Sequence, residues 1–229
     1  LEKAGCDIDL SDDAFPFMSM REAHVAGMPA RIFRISFTGE LSYEINVPSR
    51  YGLALWTSLM KAGAEDGITP YGTEAMHVLR AEKGFIIVGQ ETDGTVTSTD
   101  LGMDWIVSKV KDDFIGKRAL ARKSMASAER KQLVGLVTKD PKQVIPEGAH
   151  AVLDPNEPAP MTMLGQVTSS YWSPNLNKSI AMALLKDGRN LMGKTVYFPM
   201  LDGQKPIEAT ITDTVFYDPK GERINGISN

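Results

Sequence analysis

The chain has 229 residues, 42% of them hydrophobic and 24% charged, with a formal net charge of -4. That length and apolar content are enough for a packed core and lie between one large domain and two small ones. The acidic balance without a long basic run gives no electrostatic drive toward nucleic acid, and no apolar run approaches the roughly 20 residues of a membrane span.

The first residue is Leu1 rather than Met, and Asp7, Asp9, Asp12 and Asp13 crowd a short polar stretch before Phe15-Pro16-Phe17. We expect part of a larger polypeptide. From Arg31 to Phe37 the side chains alternate, with Phe33, Ile35 and Phe37 on one side and Ile32, Arg34 and Ser36 on the other, the period of a half-buried strand. Thr38-Gly39-Glu40 breaks the pattern, and Tyr43, Ile45 and Val47 resume it with Glu44 and Asn46 on the opposite face. The two strands are expected close in space. Ser49 precedes an amphipathic helix in which Leu53, Trp56 and Met60 recur at helical spacing, Leu55, Leu59 and Ala62 widen the same side, and Gly63 ends the run. A second helix is expected over Thr73 to Glu82, with Ala75, Val78 and Leu79 inward, Arg80 on the flank shared with Met76 and His77, and Gly84 as its stop.

Arg118 to Ala128 reads as a third helix, followed by the charged turn Glu129-Arg130-Lys131. The expected division therefore falls there, with an α+β region over 1–129 and a β domain over 130–229. Short strand-like runs follow at Leu133 to Thr138, Ala151 to Leu153, Gly165 to Thr168, Ile180 to Leu185, Thr195 to Phe198 and Ile207 to Val215. Turn residues separate them, which points to a small antiparallel barrel or sandwich. Trp172, beside Tyr171 and just before Ser173-Pro174, is expected to be a packing anchor.

Signals of catalysis are sparse. Cys6 is the single cysteine, so an internal disulfide is excluded and a reducing, cytoplasmic compartment is expected. His24, His77 and His150 stand far apart without metal-ligand spacing, and no metal site is expected. No Gly-Xaa-Ser-Xaa-Gly elbow, phosphate-cradling glycine loop or Gly-rich dinucleotide fingerprint occurs. Glu44 stands out because it projects beside a tight turn from an aromatic-rich strand pair. It is either a solvated strand glutamate or a carboxylate able to take two parallel hydrogen bonds from a heterocycle with adjacent N–H donors. Arg80 is equally either a helix-surface cation or a fixed donor for a carboxylate or carbonyl.

The segment Ser36-Phe37-Thr38-Gly39-Glu40-Leu41-Ser42-Tyr43-Glu44-Ile45 resembles the Tyr-Thr-Gly-Glu…Tyr/Phe-Glu-Ile signature of the glycine-cleavage aminomethyltransferase family. Leu79-Arg80-Ala81-Glu82 stands where that family carries Leu-Arg-Leu-Glu, and Gly89-Gln90-Glu91-Thr92-Asp93, Asp113-Phe114-Ile115-Gly116-Lys117 and Lys178-Ser179-Ile180-Ala181 continue the order. Within it, Thr73 to Phe85, Gly94-Thr95-Val96-Thr97 and Ser170 to Leu176 look most like the branch formed by sarcosine oxidase alpha subunits. Met76 and Asp218, where the glycine-cleavage enzymes usually or often have Arg, fit that branch.

The resemblance implies a partial aminomethyltransferase cloverleaf with tetrahydrofolate in a central channel. Glu44 would hold the pterin, Phe37 would stand where the family usually has a folate-contacting Tyr, and Arg80 would line the same channel. It implies transfer of a one-carbon unit from oxidised sarcosine to tetrahydrofolate, giving glycine and 5,10-methylenetetrahydrofolate. FAD, FMN and NAD would belong to other regions of the alpha subunit or to other subunits, which are the expected partners. No catalytic acid or base is identified, since the family's acidic residue near the folate has no counterpart in these residues. Other folate-linked demethylases of the dimethylglycine dehydrogenase type, glycine-cleavage T-protein itself and noncatalytic folate-binding modules are the alternatives. Phe85-Ile86-Ile87-Val88 replaces the Cys-containing signature of the last of these.

Overall fold

The computed structural model describes residues 1–127, 129–200 and 204–226. The chain divides into two compact units, Leu1–His77 with Lys220–Asn229, and Val78–Pro219.

The first unit is built on an antiparallel sheet in the order β1 (Ser19–Val25), β2 (Met28–Arg34), β3 (Glu44–Asn46). Strand β1 has a polar sequence that alternation alone does not reveal. It is fixed by the turn at Ala26 and Gly27, whose φ angles of 50° and 76° match the strand twist. Strand β2 ends at Arg34 rather than running to Phe37, and its buried side carries Met28, Ala30, Ile32 and Arg34. The guanidinium of Arg34 is nearly inaccessible because it donates to the Phe15 carbonyl at 2.7 Å and to Asp12. It ties the 12–15 loop to the end of the strand.

The expected proximity of the two alternating runs holds, with Phe33 opposite Glu44 and Arg31 opposite Asn46. Helix α1 (Gly52–Ala62) follows a 3-10 turn at Ser49–Tyr51, and Ser49 makes no side-chain cap. Leu55 is buried in the core with Phe15, Val25 and Ile32, and Leu59 and Ala62 pack against it. Leu53 and Trp56, expected on the same inward side, are 80% and 54% exposed. Gly63 caps the helix as expected.

Helix α2 (Thr73–Glu82) has the expected bounds, but its buried residues are Arg80, Ala81 and Glu82 rather than Ala75, Val78 and Leu79. Gly84 follows at φ 73°, and a Cβ there would stand 2.6 Å from the Thr214 carbonyl oxygen, so both backbone angle and close approach require glycine. The expected helix from Arg118 to Ala128 is shortened to α3 (Lys117–Leu120), with turns after it; Ala128 lies outside the described residues. No residue of α3 is buried and no side chain caps it, so nothing tertiary supports a longer helix.

In the second unit, β4 (Lys131–Thr138), β5 (His150–Ala151), β6 (Gly165–Ser173), β7 (Lys178–Lys186), β8 (Thr195–Phe198) and β9 (Ile207–Thr212) form one antiparallel sheet in the order β5-β6-β7-β4-β9-β8. A bridge between Val152 and Tyr197 joins its two ends, so the sheet is a nearly closed barrel. Val134, Leu136, Val167, Ala181, Ala183, Leu185, Phe198 and Ile211 belong to its core. The intervening residues Leu133, Ile180, Met182 and Leu184 pack on the other face with Ala81 of α2. Both faces of β4 and β7 are thus buried, which explains their continuous apolar runs. Strand β6 extends past the expected Thr168 through a bulge between Val167 and Ser169. Trp172, expected to be a packing anchor, lies near its end and is 42% exposed. Among the described residues, no helix is long and apolar enough to cross a membrane.

Candidate functional site

The turn between β2 and β3 builds the site. Gly39 adopts φ 83°, and its N–H donates to Ser36 Oγ at 2.9 Å. The Ser42 hydroxyl donates to the Glu40 carbonyl at 3.1 Å. These bonds fold the Ser36–Ser42 stretch back on itself, so that Phe37 before the turn and Glu44 after it line one cavity of about 370 Å³. Ile35, Ser36, Thr38, Ser42, Tyr43, Tyr71 and Met76 complete its lining.

Two of the three expected site residues, Phe37 and Glu44, are therefore brought together. Phe37 is 39% exposed and presents ring surface to the cavity. Glu44 is exposed, and its Oε1 accepts from Asn46 Nδ2 at 2.9 Å, across the expected shared face. An ionised carboxylate has about four acceptor directions, so this bond orients Glu44 while leaving it capacity for further donors. Tyr71, 62% exposed, was not legible as a lining residue. Its only signal is an aromatic between Pro70 and Gly72 at the approach to α2.

Arg80 differs from the expected channel-lining donor. Its side chain is fully buried in the second unit, with Nη1 donating to Glu91 Oε2 and to the Phe85 carbonyl, each at 3.0 Å. Nη2 donates to Ser169 Oγ at 2.6 Å. Glu91 in turn accepts the Ile87 N–H at 2.7 Å and the Ser169 hydroxyl. The pair therefore closes the Phe85–Glu91 loop onto β6. The buried charge is engaged by protein groups at both Nη atoms, while Nε has no hydrogen-bond partner among the described residues.

A wider cleft of about 740 Å³ in the first unit is lined by Asp7, Glu22, His24, Arg31 and Asn46, among others. Asp7 accepts from the His24 backbone N–H at 2.7 Å and lies 2.9 Å from its Nδ1. The backbone hydrogen bond and then the side-chain bond from His24 lower the Asp7 carboxyl below its ordinary pKa. Among the described residues, no group of three or more His, Cys, Asp or Glu side chains could hold a metal ion.

A strand–turn–strand cavity with an oriented carboxylate, in a chain that also carries a six-stranded antiparallel barrel, defines an aminomethyltransferase-type architecture. Residues 1–111 match the GCVT N-terminal domain model, residues 131–218 match the glycine cleavage T-protein C-terminal barrel domain model, and the chain belongs to that family. It is similar to the sarcosine oxidase subunit alpha of Corynebacterium sp. (strain P-1), with 49% identity over 96% of this chain and 23% of the relative. The corresponding subunit of Rhizobium meliloti (strain 1021) is 41% identical over 96% of this chain and 22% of its own length. The aminomethyltransferase of Clostridium botulinum (strain Okra / Type B1) is 34% identical over 93% of this chain and 55% of the relative. The crystal structure of glycine cleavage system aminomethyltransferase T from Bartonella henselae superposes with a TM-score of 0.75 at 25% identity, covering 89% of this chain and 53% of that one. The chain thus spans under a quarter of the oxidase subunits and about half of the aminomethyltransferases. Its relatives are enzymes or enzyme subunits, and its role is enzyme-related.

Proposed function

We propose that these residues form the tetrahydrofolate-binding part of a sarcosine oxidase alpha subunit, where the one-carbon unit of oxidised sarcosine is passed to folate. The observation that carries this reading is the shared cavity of Phe37 and Glu44, formed by the family's Thr-Gly-Glu turn. Higher identity to oxidase subunits than to aminomethyltransferases supports the choice of branch.

The residues fit the ligand. A carboxylate held by Asn46 can accept adjacent N–H donors at a pterin edge, while Phe37 and Tyr71 offer ring faces to the bicyclic heterocycle. Arg80 is assigned a supporting role in the second unit, holding the Phe85–Glu91 loop rather than touching ligand. In the transfer, the sarcosine-derived iminium carbon gains one bond each to N5 and N10 of folate and loses both bonds of its C=N to the glycine nitrogen, which takes up the two protons leaving N5 and N10 and departs as the ammonium of glycine. These residues bind and orient the acceptor, which raises its effective concentration near the one-carbon unit. We place the oxidation outside residues 1–129 and 130–229 alike, because removing two electrons from an amine requires a flavin-type acceptor and the sequence has no dinucleotide fingerprint. FAD, FMN and NAD, in this reading, sit in other regions or subunits, which are the protein partners.

The reading is tested in the full-length protein with methyl-labelled sarcosine and tetrahydrofolate. Label should appear in 5,10-methylenetetrahydrofolate, and Phe37→Ala should divert it to free formaldehyde. Label released wholly as formaldehyde by the unaltered protein, whatever the folate concentration, would refute it.

A further inference from the structure

Glu40 belongs to the Thr38-Gly39-Glu40 turn but does not line the cavity. Its carboxylate instead accepts from Arg223 Nε, at 2.6 Å to Oε1 and 2.8 Å to Oε2, across a sequence separation of 183 residues. Arg223 sits in a 3-10 turn, Glu222–Asn225, bracketed by Gly221 and Gly226 at φ 71° and 75°. Gly226 passes close to the same turn, since a Cβ added there would stand 3.2 Å from Leu41 Cδ2. The C-terminal segment therefore holds the turn at Glu40 and passes beside Leu41, within one compact unit.

At its far end the turn is anchored by Tyr43, whose ring lies 6.0 Å from that of Phe15 and whose hydroxyl donates to the Leu10 carbonyl at 3.4 Å. Residues 35–43 lie between the end of β2 and the start of β3 and belong to no strand. Their internal bonds flank Glu40: Gly39 N–H to Ser36 Oγ on the Phe37 side, and the Ser42 hydroxyl to the Glu40 carbonyl on the Glu44 side. A loop free to move must be ordered when ligand binds, at the expense of affinity, whereas a loop held beforehand is preorganised. The two partners are only 30% and 36% exposed, so the pair is shielded from part of the solvent screening that weakens surface ion pairs.

We infer that Arg223, acting through Glu40, is a positioning residue that holds the Ser36–Ser42 turn so that Phe37 and Glu44 face one ligand. This rests on the folate reading above. The positioning role is distinct from contact with ligand, and it gives the chain's C-terminal segment a part in binding at a site formed far earlier in the sequence.

The test measures tetrahydrofolate affinity by calorimetry in the full-length protein, with melting curves recorded for each variant. Arg223→Ala and Glu40→Ala should each weaken binding about fivefold at a temperature where both are folded, and the double variant should be no weaker than either single one. The exchanged pair, Glu40→Arg with Arg223→Glu, should recover part of the loss, which a general loss of stability would not do. Unchanged affinity in Arg223→Ala, with Glu44→Gln weakened, overturns the clamp and leaves the folate reading standing. Unchanged affinity in Glu44→Gln overturns both. Additive losses in the double variant would mean two independent contacts and also defeat the clamp. If Arg223→Ala does not fold, Glu40→Gln replaces it, and wild-type affinity in that variant is the overturning result.

Discussion

Replacing Glu44 with glutamine changes one atom of the candidate site and leaves its size almost untouched. In the unaltered chain Oε1 accepts from Asn46 at 2.9 Å, which orients the carboxylate, and Glu44 lines one cavity with Phe37. A glutamine amide has two ways to sit. With its oxygen on Asn46, the NH2 group meets the N–H donors of the ligand; turned around, it sets donor against donor at Asn46. Either arrangement removes a charge-assisted hydrogen bond, a loss of about 1.5–3 kcal/mol. That corresponds to roughly one to two orders of magnitude in Kd. Isothermal calorimetry with tetrahydrofolate measures it directly, and Asn46→Ala serves as a companion in which orientation is loosened while the charge stays, with a smaller expected loss. Equal affinity of the unaltered protein and Glu44→Gln would show that the carboxylate does not hold the ligand.

Three further predictions concern the scaffold. Arg80→Met should destabilise the second unit by about 3–5 kcal/mol in urea titration, because it strands the buried Glu91 carboxylate; a loss under about 1 kcal/mol would contradict the assigned ion pair. For Asp100, burial pushes the carboxyl pKa up, but hydrogen bonds from Arg130 and Thr97 outweigh it and hold the group below its ordinary value. Its contribution to stability is therefore complete above the unfolded pKa of about 4 and is lost as pH falls through the lower folded value. Asp100→Asn should flatten that acid limb of the stability curve, and an unchanged limb would refute the linkage. Gly135→Ala would place a Cβ 2.0 Å from the Asp213 carbonyl oxygen and 2.9 Å from Phe216 Cζ, so strand β4 must shift. A loss of at least about 1–3 kcal/mol is expected from thermal melting.

Legibility in the sequence followed how local the determining interaction was. The strands of the barrel were readable because their apolar runs and Gly/Pro/Asn/Asp punctuation are local properties, and α2 was bounded by residues immediately beside it. The face that each element buries was less legible. Arg34 is buried because Phe15 and Asp12, some twenty residues earlier, satisfy it, and Leu53 is exposed although it repeats with the helical period. The helix beyond Leu120 failed because periodicity without a buried partner is too weak to hold a helix. At the cavity, Glu44 was marked by its turn and by its face-mate Asn46, whereas Tyr71 enters only through folding. Arg80 shows the opposite difficulty: its motif is legible, but Ser169, 89 residues away, and Glu91 decide that its charge faces inward.

The barrel's closure rests on a narrow seam. Val152 and Tyr197 exchange two backbone hydrogen bonds, each 2.9 Å, between the short β5 region and the four-residue β8. With the seam shut, that pair of edges is closed to a strand from another molecule. Parting it would bare rows of unpaired N–H and C=O groups on both sides at once, the template for intermolecular strand addition. The two hydrogen bonds of the seam therefore keep these edges covered, and the amides of Val152 and Tyr197 are where its opening would register in hydrogen exchange.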